Sequence, residues 1–439
     1  MKQDRQNGRG SNSAQLRRYN ERIVLQFLRR LGEASKSDLA RAAKLTNAAV
    51  GGIIQTLTED GLIKETGKRH DGNRGQPATL LQLAPRGAFG FGVRIDRTNL
   101  ETVLLDFGGK VIGRRGHDMI LPEPEKTLDI IQDDLSQLGG LLEEGEQARI
   151  TGIGLAQPFN LGAWLRELGL PKASFKKWDS YDMGAALRAA TGRDVFVEND
   201  VTAAAVAELF YGHGRQRNDF LYLFLGPAIG GGLILNGDVV RGVTGNAGDV
   251  AMIPVPQSRL STAPKSDDGW DLLLTRASLV AFARHLQPDG FTSLSRLDLQ
   301  AAVDSGAPAF EEWLADCIDA LTPALRSAYA LLDIPLVIVD SDLDGVFAQR
   351  LVSGLSESLA AAAPEARETP EILFGSFGQD AGAIGAASLP LFFNFSPRTT
   401  ILTGGKTLGS AGAAIRNEDA AASASEVRLG PGLAALNRQ

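Results

Sequence analysis

The stretch Val195-Phe196-Val197-Glu198-Asn199-Asp200-Val201-Thr202-Ala203-Ala204-Ala205-Val206-Ala207-Glu208 decides the reading of this chain. A short apolar strand, 195–197, runs straight into a helix, 201–208, with an amide and a carboxylate at the junction. Fixed acceptors and one donor pair at such a turn suit a polyol ligand. Both residues are also good helix caps, so a purely structural role stays open at this point.

The segments on either side repeat one another. Upstream, 89–95, 100–107 and 110–115 read as a strand meander with a hairpin turn at Gly108-Gly109. A helix over 125–142, a strand over 150–156 and a helix over 183–190 follow. Downstream, strands 220–225 and 232–235 turn at Asn236-Gly237, then come a helix over 309–332, an apolar strand over 335–339 and a last helix over 381–391. Two copies of meander, helix, strand, helix predict a duplicated α/β body with a cleft between its lobes. One lobe is expected over 88–198, completed by the helix at 381–392. The other is expected over 199–380 and carries the oligomerisation surface. The Ala/Gly/Ser-rich stretch 396–439 is predicted to be a disordered tail.

Ahead of the body, Ile23, Val24, Phe27, Leu28 and Leu31 recur at helical spacing and predict a helix over 21–31. Ser35 caps a second helix, with Asp38 completing a capping box. Thr46 caps a third, which buries Val50, Ile53, Ile54 and Leu57 and stops at Gly61. Strand-like 62–64 and 79–81 flank a Gly-rich basic tip, 68–75. The pattern is a winged helix-turn-helix over 14–84. Asn47, Gly51, Gln55 and Thr56 of the third helix are candidate base readers. Lys36, Lys44, Lys68 and Arg69 are candidate phosphate contacts. Arg74 and Gln76 at the wing tip are candidates for the minor groove.

Charge agrees with this division. Residues 1–75 carry 15 Lys/Arg against 8 Asp/Glu, and the remainder 30 against 44. A basic head on an acidic body points to a polyanion partner for the head alone. No apolar run of about 18 residues predicts a membrane span, and the polar N-terminus does not read as a secretory signal. Cys317 is the one cysteine, which excludes an internal disulfide and a Cys-rich zinc site and suggests the cytoplasm.

The combination resembles the ROK family (repressors, open reading frames and kinases) over roughly 14–392. Four segments carry the resemblance: the head ending in Gly75-Gln76-Pro77-Ala78; Val197-Glu198-Asn199-Asp200 with its helix; Gly226-Pro227-Ala228-Ile229-Gly230-Gly231-Gly232 leading to Asn246-Ala247-Gly248-Asp249; and Gly382-Ala383-Ile384-Gly385-Ala386-Ala387. It implies an actin-like ATPase (ribonuclease H-like) sugar-kinase fold with two lobes behind the winged head. It also implies that Asn199 and Asp200 bind vicinal sugar hydroxyls, that Asp200 stands where kinases keep the general base, and that Asp249 replaces a sugar-binding Glu. Gln157, Asn160, Asn246 and an aromatic platform, Trp178 or Trp164, complete the candidate pocket.

Departures from the family pattern shape the functional expectation. The first phosphate loop, usually Asp-x-Gly-Gly-Thr, reads Asp96-Arg97-Thr98-Asn99, and Pro227-Ala228 replace Thr-Gly in the second. Met252 replaces a metal-binding His, and 256–269 lacks the family's cysteines. The expectation is a cytoplasmic, sugar-responsive transcriptional regulator, a repressor of carbohydrate transport or catabolism genes. It would be no enzyme and would use no cofactor or metal, with Asp200 a vestigial base. It would bind operator DNA as a homodimer or homotetramer and a monosaccharide or sugar-derivative effector. The alternative is an active ATP-dependent sugar kinase with an appended DNA-binding head.

Overall fold

Local signals set the head. In the computed structural model, which describes residues 13–69, 77–162, 165–166, 170–289, 295–343, 345–364 and 368–402, it contains α1 (Ser13–Leu31), β1 (Ala34–Ser35), α2 (Lys36–Ala43), α3 (Asn47–Glu59), β2 (Ile63–Arg69) and β3 (Ala78–Leu83). The Ser35–Asp38 capping box forms in both directions, and Thr46 Oγ1 accepts from Ala49 N. The strands pair antiparallel in the order β1-β3-β2. Helix α1 starts eight residues before its expected position, and the two-residue β1 was not foreseen. Lys44 takes a left-handed conformation (φ 54°) in the turn between α2 and α3.

The body is two sheets of one topology. The N-lobe holds β4 (Phe89–Ile95), β5 (Asn99–Asp106), β6 (Val111–Asp118), α4 (Pro124–Gly139), α5 (Glu144–Gln147), β7 (Ile150–Gln157), α6 (Met183–Thr191) and β8 (Val195–Asn199). Its sheet runs β6-β5-β4-β7-β8. Helix α7 (Asp200–Tyr211) leads to β9 (Phe220–Leu225), β10 (Ile229–Leu235), β11 (Asp238–Val240) and the hairpin β12 (Pro254–Pro256) and β13 (Trp270–Leu272). Helices α8 (Leu273–Arg276), α9 (Leu279–Leu286), α10 (Arg296–Asp304) and α11 (Pro308–Leu332) precede β14 (Leu336–Ser341), α12 (Val346–Ala361), β15 (Glu371–Phe374) and α13 (Ala381–Phe395). The second sheet runs β11-β10-β9-β14-β15, so both lobes place a three-strand antiparallel meander beside two parallel strands.

Helices α7 and α13 form the layer between the lobes, and small residues let them approach. A Cβ on Gly154 of β7 would lie 1.8 Å from the Ala386 carbonyl oxygen, and one on Gly385 would lie 2.5 Å from the Ala203 carbonyl carbon. Only glycine permits either contact. The apolar core of the head is continuous with this layer: Val24, Leu28, Val50 and Leu57 belong to the same cluster as Ala203, Phe210 and Phe392.

Residues 396–402, expected to belong to a disordered tail, are ordered. Ser396 and Arg398 are buried, Arg398 pairs with Asp238 at 3.0 Å, and a 3-10 turn spans Thr399–Ile401. The rest of that stretch lies outside the described residues. No helix among the described residues is long and apolar enough to cross a membrane.

Candidate functional site

The strand-to-helix junction is where β8 of the N-lobe runs directly into α7, the helix that packs on α13 and β10. Asn199 caps α7: its Oδ1 accepts from Val201 N (3.1 Å) and Thr202 N (3.2 Å), leaving its amide N–H groups for another partner. Asp200 opens the helix and its Oδ1 accepts from Val201 N at 3.0 Å. Gln157 ends β7 directly opposite Asn199 in the parallel register. Its Oε1 is buried and has no hydrogen-bond partner among the described residues. A buried acceptor left unpaired costs about 1–3 kcal/mol, so this oxygen is available to a water or to a ligand donor.

The glycine-rich strand gathers the remaining motif. A Cβ on Gly230 would meet Val201 Cγ2 at 2.6 Å, and one on Gly231 would meet the Gly248 carbonyl oxygen at 2.6 Å. The bare backbone of β10 thus seats the first turn of α7 and the 246–249 loop on adjacent residues. In that loop Asn246 Nδ2 donates to Asp249 Oδ2 at 2.9 Å. Glu198, from the same motif, is buried and paired with Arg241.

Two candidates are placed differently. Trp178 is 7% exposed in the N-lobe core, its indole N–H donates to the Pro122 carbonyl at 3.0 Å, and it packs edge-on against Tyr181. It is a core residue, not an aromatic platform for a sugar. Asn160 spends its Oδ1 on the Gly162 N–H at 2.7 Å. Trp164 lies outside the described residues.

The turn at 96–99 closes on itself. Asp96 N donates to the Asn99 carbonyl at 2.8 Å, and Arg97 N to Asp96 Oδ1 at 2.7 Å. Arg97 is only 6% exposed: its Nε and Nη2 donate to the Leu161 and Asn160 carbonyls, and its Nη1 lies 3.5 Å from Asp96. This guanidinium is folded into the N-lobe and does not offer itself to an anion. The backbone there presents no glycine cradle of the kind that approaches a phosphate closely.

Arg94 and Asp342 were missed by sequence reasoning. Arg94 points from β4 toward α13, where a Cβ on Gly382 would lie 2.6 Å from its Nε. Burial works against its charge, yet Asp342, Asp96 and Asp200 together hold its pKa above the usual value. Burial pushes Asp342 up to about 6, with Arg94 opposing and Asp96 adding to the rise. Burial also raises Asp200, reinforced by Asp96 and opposed by Arg94. Asp96, Asp200 and Asp342 therefore share one electrostatic neighbourhood with Arg94, while Arg97 also acts on Asp200 and Arg296 on Asp342. The available signal was a lone arginine inside the otherwise apolar strand Phe89–Ile95.

The family's zinc site does not fit. Among the described residues no group of three or more His, Cys, Asp or Glu is placed to hold a metal. The 256–270 excursion is pinned by Arg276, which is 1% exposed and binds the Pro256 carbonyl at 2.7 Å, Asp316 at 2.6 Å and Asp319 at 2.8 Å. Ser258 ties the same loop to Asp271 and Asp316, both at 2.9 Å.

On the head, Lys36, Lys44, Asn47, Gln55 and Lys68 are exposed. Gly51 leaves room for Lys36, whose Nζ would be 2.5 Å from a Cβ there. Thr56 faces α1 instead of solvent, accepting from Arg17 Nη2 at 2.9 Å. Arg69 pairs with Asp38 at 3.0 Å. Arg74 and Gln76 lie outside the described residues.

The fold and cleft define a class: a winged-helix head on a two-lobed, duplicated actin-like body. The model of the ROK family matches residues 91–391, and this chain belongs to that family. A relative from Sinorhizobium fredii, the uncharacterized protein y4fQ, is 28% identical over 86% of this chain and 91% of its own length. The xylose repressor of Bacillus spizizenii is 22% identical over 60% of this chain and 68% of its own. A crystal structure described as a ROK family transcriptional regulator, homolog of the E. coli MLC protein, superposes with a TM-score of 0.65. It covers 89% of this chain and 100% of its own at 22% identity, which is a likeness of fold.

Proposed function

We propose that this protein is a sugar-responsive, DNA-binding transcriptional regulator, a repressor of carbohydrate transport or catabolism genes, whose kinase-like body senses a ligand without transferring phosphate. The observation that carries the reading is the unpartnered Gln157 Oε1 beside Asn199 and Asp200, in a cleft whose first phosphate turn is sealed by Arg97. The ligand is a monosaccharide or sugar derivative; around the junction Asp96, Asp200 and Asp342 are balanced by Arg94, Arg97 and Arg296. Gln157, Asn199 and Asp200 form its floor, and Asn246 and Asp249 its rim. The related xylose repressor and the regulator of like fold support the repressor role.

The α2-turn-α3 unit enters the major groove with Asn47 and Gln55 toward the bases, while Lys36, Lys44 and Lys68 hold phosphates. Two heads on a homodimer or homotetramer read two half-sites. Work in the cytoplasm follows from that role. A thermal-shift screen of neutral monosaccharides tests the sensor: a ligand at 100 times its Kd stabilises by about 2.7 kcal/mol. No shift with any sugar contradicts it.

One observation favours the kinase alternative: Asp200 keeps its carboxylate in the cleft with a raised pKa, as a general base requires. Incubation with ATP and hexoses decides between the two. Turnover abolished by Asp200→Asn selects the kinase, and its absence selects the sensor.

A further inference from the structure

We infer that Arg29 is a positioning residue that seats the DNA-binding head on helix α7, so that the head registers what happens at the sugar-facing end of that helix. The inference rests on the sensor reading above but concerns a different place, the junction of α1 with the body.

Arg29 lies in the last turn of α1 and is 7% exposed. Its guanidinium carbon stands 3.5 Å from the ring centre of Phe210, in the last turn of α7, and 5.3 Å from that of Phe107, just past β5. Its Nε and Nη2 are buried without a hydrogen-bond partner, and it has no ion pair among the described residues. The neighbouring Tyr211 hydroxyl is equally unpartnered. Backbone contacts frame the seat: Arg215 donates to the Arg29 carbonyl at 2.7 and 3.1 Å, and Arg22 to the Phe393 and Ser396 carbonyls, each at 3.3 Å.

This is an odd way to glue two parts together. A buried guanidinium without a counter-ion carries a desolvation cost of several kcal/mol. Stacking on an aromatic face returns about 2 kcal/mol and only in a narrow geometry. A leucine or methionine in the same slot would hold the head over many positions of α7, whereas the arginine holds it well in one. The seat is therefore conditional on where Phe210 stands relative to Phe107.

Both ends of the connection lead somewhere. Helix α7 is buried from Val201 to Phe210, is capped by Asn199 and starts at Asp200, about 15 Å from Phe210. It moves as a rod. At the other end of α1, Arg17 binds Thr56 on α3. A shift at the first turn of α7 reaches the groove-reading helix through the Arg29 stack and α1.

Hydrogen exchange on the full chain tests this without a sugar or an operator. Asn199→Ala removes the α7 cap and stands in for a disturbance at the ligand end. It is expected to speed exchange in residues 22–31 about tenfold, a coupling usual for residues of one network. In an Arg29→Met background, which keeps bulk and removes the stack, Asn199→Ala is expected to leave those residues unchanged. Arg29→Lys, which keeps charge without the flat ring contact, is expected to behave like Arg29→Met. An equal acceleration in all backgrounds, or none in any, overturns the inference. A failed sugar screen sinks the sensor reading and leaves this result standing.

Discussion

Gln157, Arg94 and Asp342 stand around the Asn199–Asp200 junction, and two of them invite a direct test. Gln157 offers an acceptor that nothing among the described residues satisfies, so its replacement separates binding from stability. Gln157→Leu is expected to abolish sugar binding while leaving the Tm unchanged or slightly raised, because the orphan acceptor disappears. A clear loss of Tm without ligand contradicts that. Asp342 makes the cleft sensitive to pH. Its folded pKa of about 6 lies above the ordinary carboxylate value, so it contributes stability at acid pH that is lost as pH rises from about 4 through 6. The loss is on the order of 3 kcal/mol at most. Tm is expected to fall less between pH 4.5 and 7 in Asp342→Asn than in the parent, and equal falls contradict the assignment. Asn199 and Asp200 were legible in sequence because a strand, an amide, a carboxylate and a helix adjoin in the chain. Arg94 was not, since Asp342 and Gly382 reach it from about 250 and 290 residues away. Trp178 was misplaced for the same reason: whether an aromatic lines a cleft or fills a core depends on Pro122 and Tyr181, which its own neighbourhood does not announce.

At the level of elements, the head was read almost whole, since Ser35, Asp38 and Thr46 act within one helical turn of themselves. The start of α1 was not, since its polar first two turns, Ser13 to Asn20, carry little of the apolar spacing on which the reading rested. The tail boundary failed on a long-range pair, Arg398 with Asp238. The 256–270 excursion is held by a buried arginine network rather than by metal ligands. Breaking one partner of a buried ion pair costs about 3–5 kcal/mol. Arg276→Met is expected to lower stability by that amount, while EDTA leaves the Tm of the parent unchanged. A drop in Tm with EDTA would place a metal in the molecule and contradict the network as its replacement.

Across the whole molecule, the basic head and acidic body separate two tasks. The lobes are related by a shared strand order, and the α7–α13 layer joins them to the head through one continuous apolar core. If Lys36, Lys44 and Lys68 each hold a phosphate, a dimer makes about six such contacts. The logarithm of operator affinity should then fall with the logarithm of salt at a slope of about −5. A slope near zero contradicts the assignment of these residues. The central claim is that occupancy of the cleft is itself the signal. Fluorescence anisotropy of a labelled operator, selected from random-sequence DNA and titrated with neutral monosaccharides without nucleotide, tests it most directly. The account predicts that at least one sugar changes operator affinity about tenfold or more and that Gln157→Leu abolishes the response. A response that appears only with hydrolysable ATP, or none with any sugar, contradicts it.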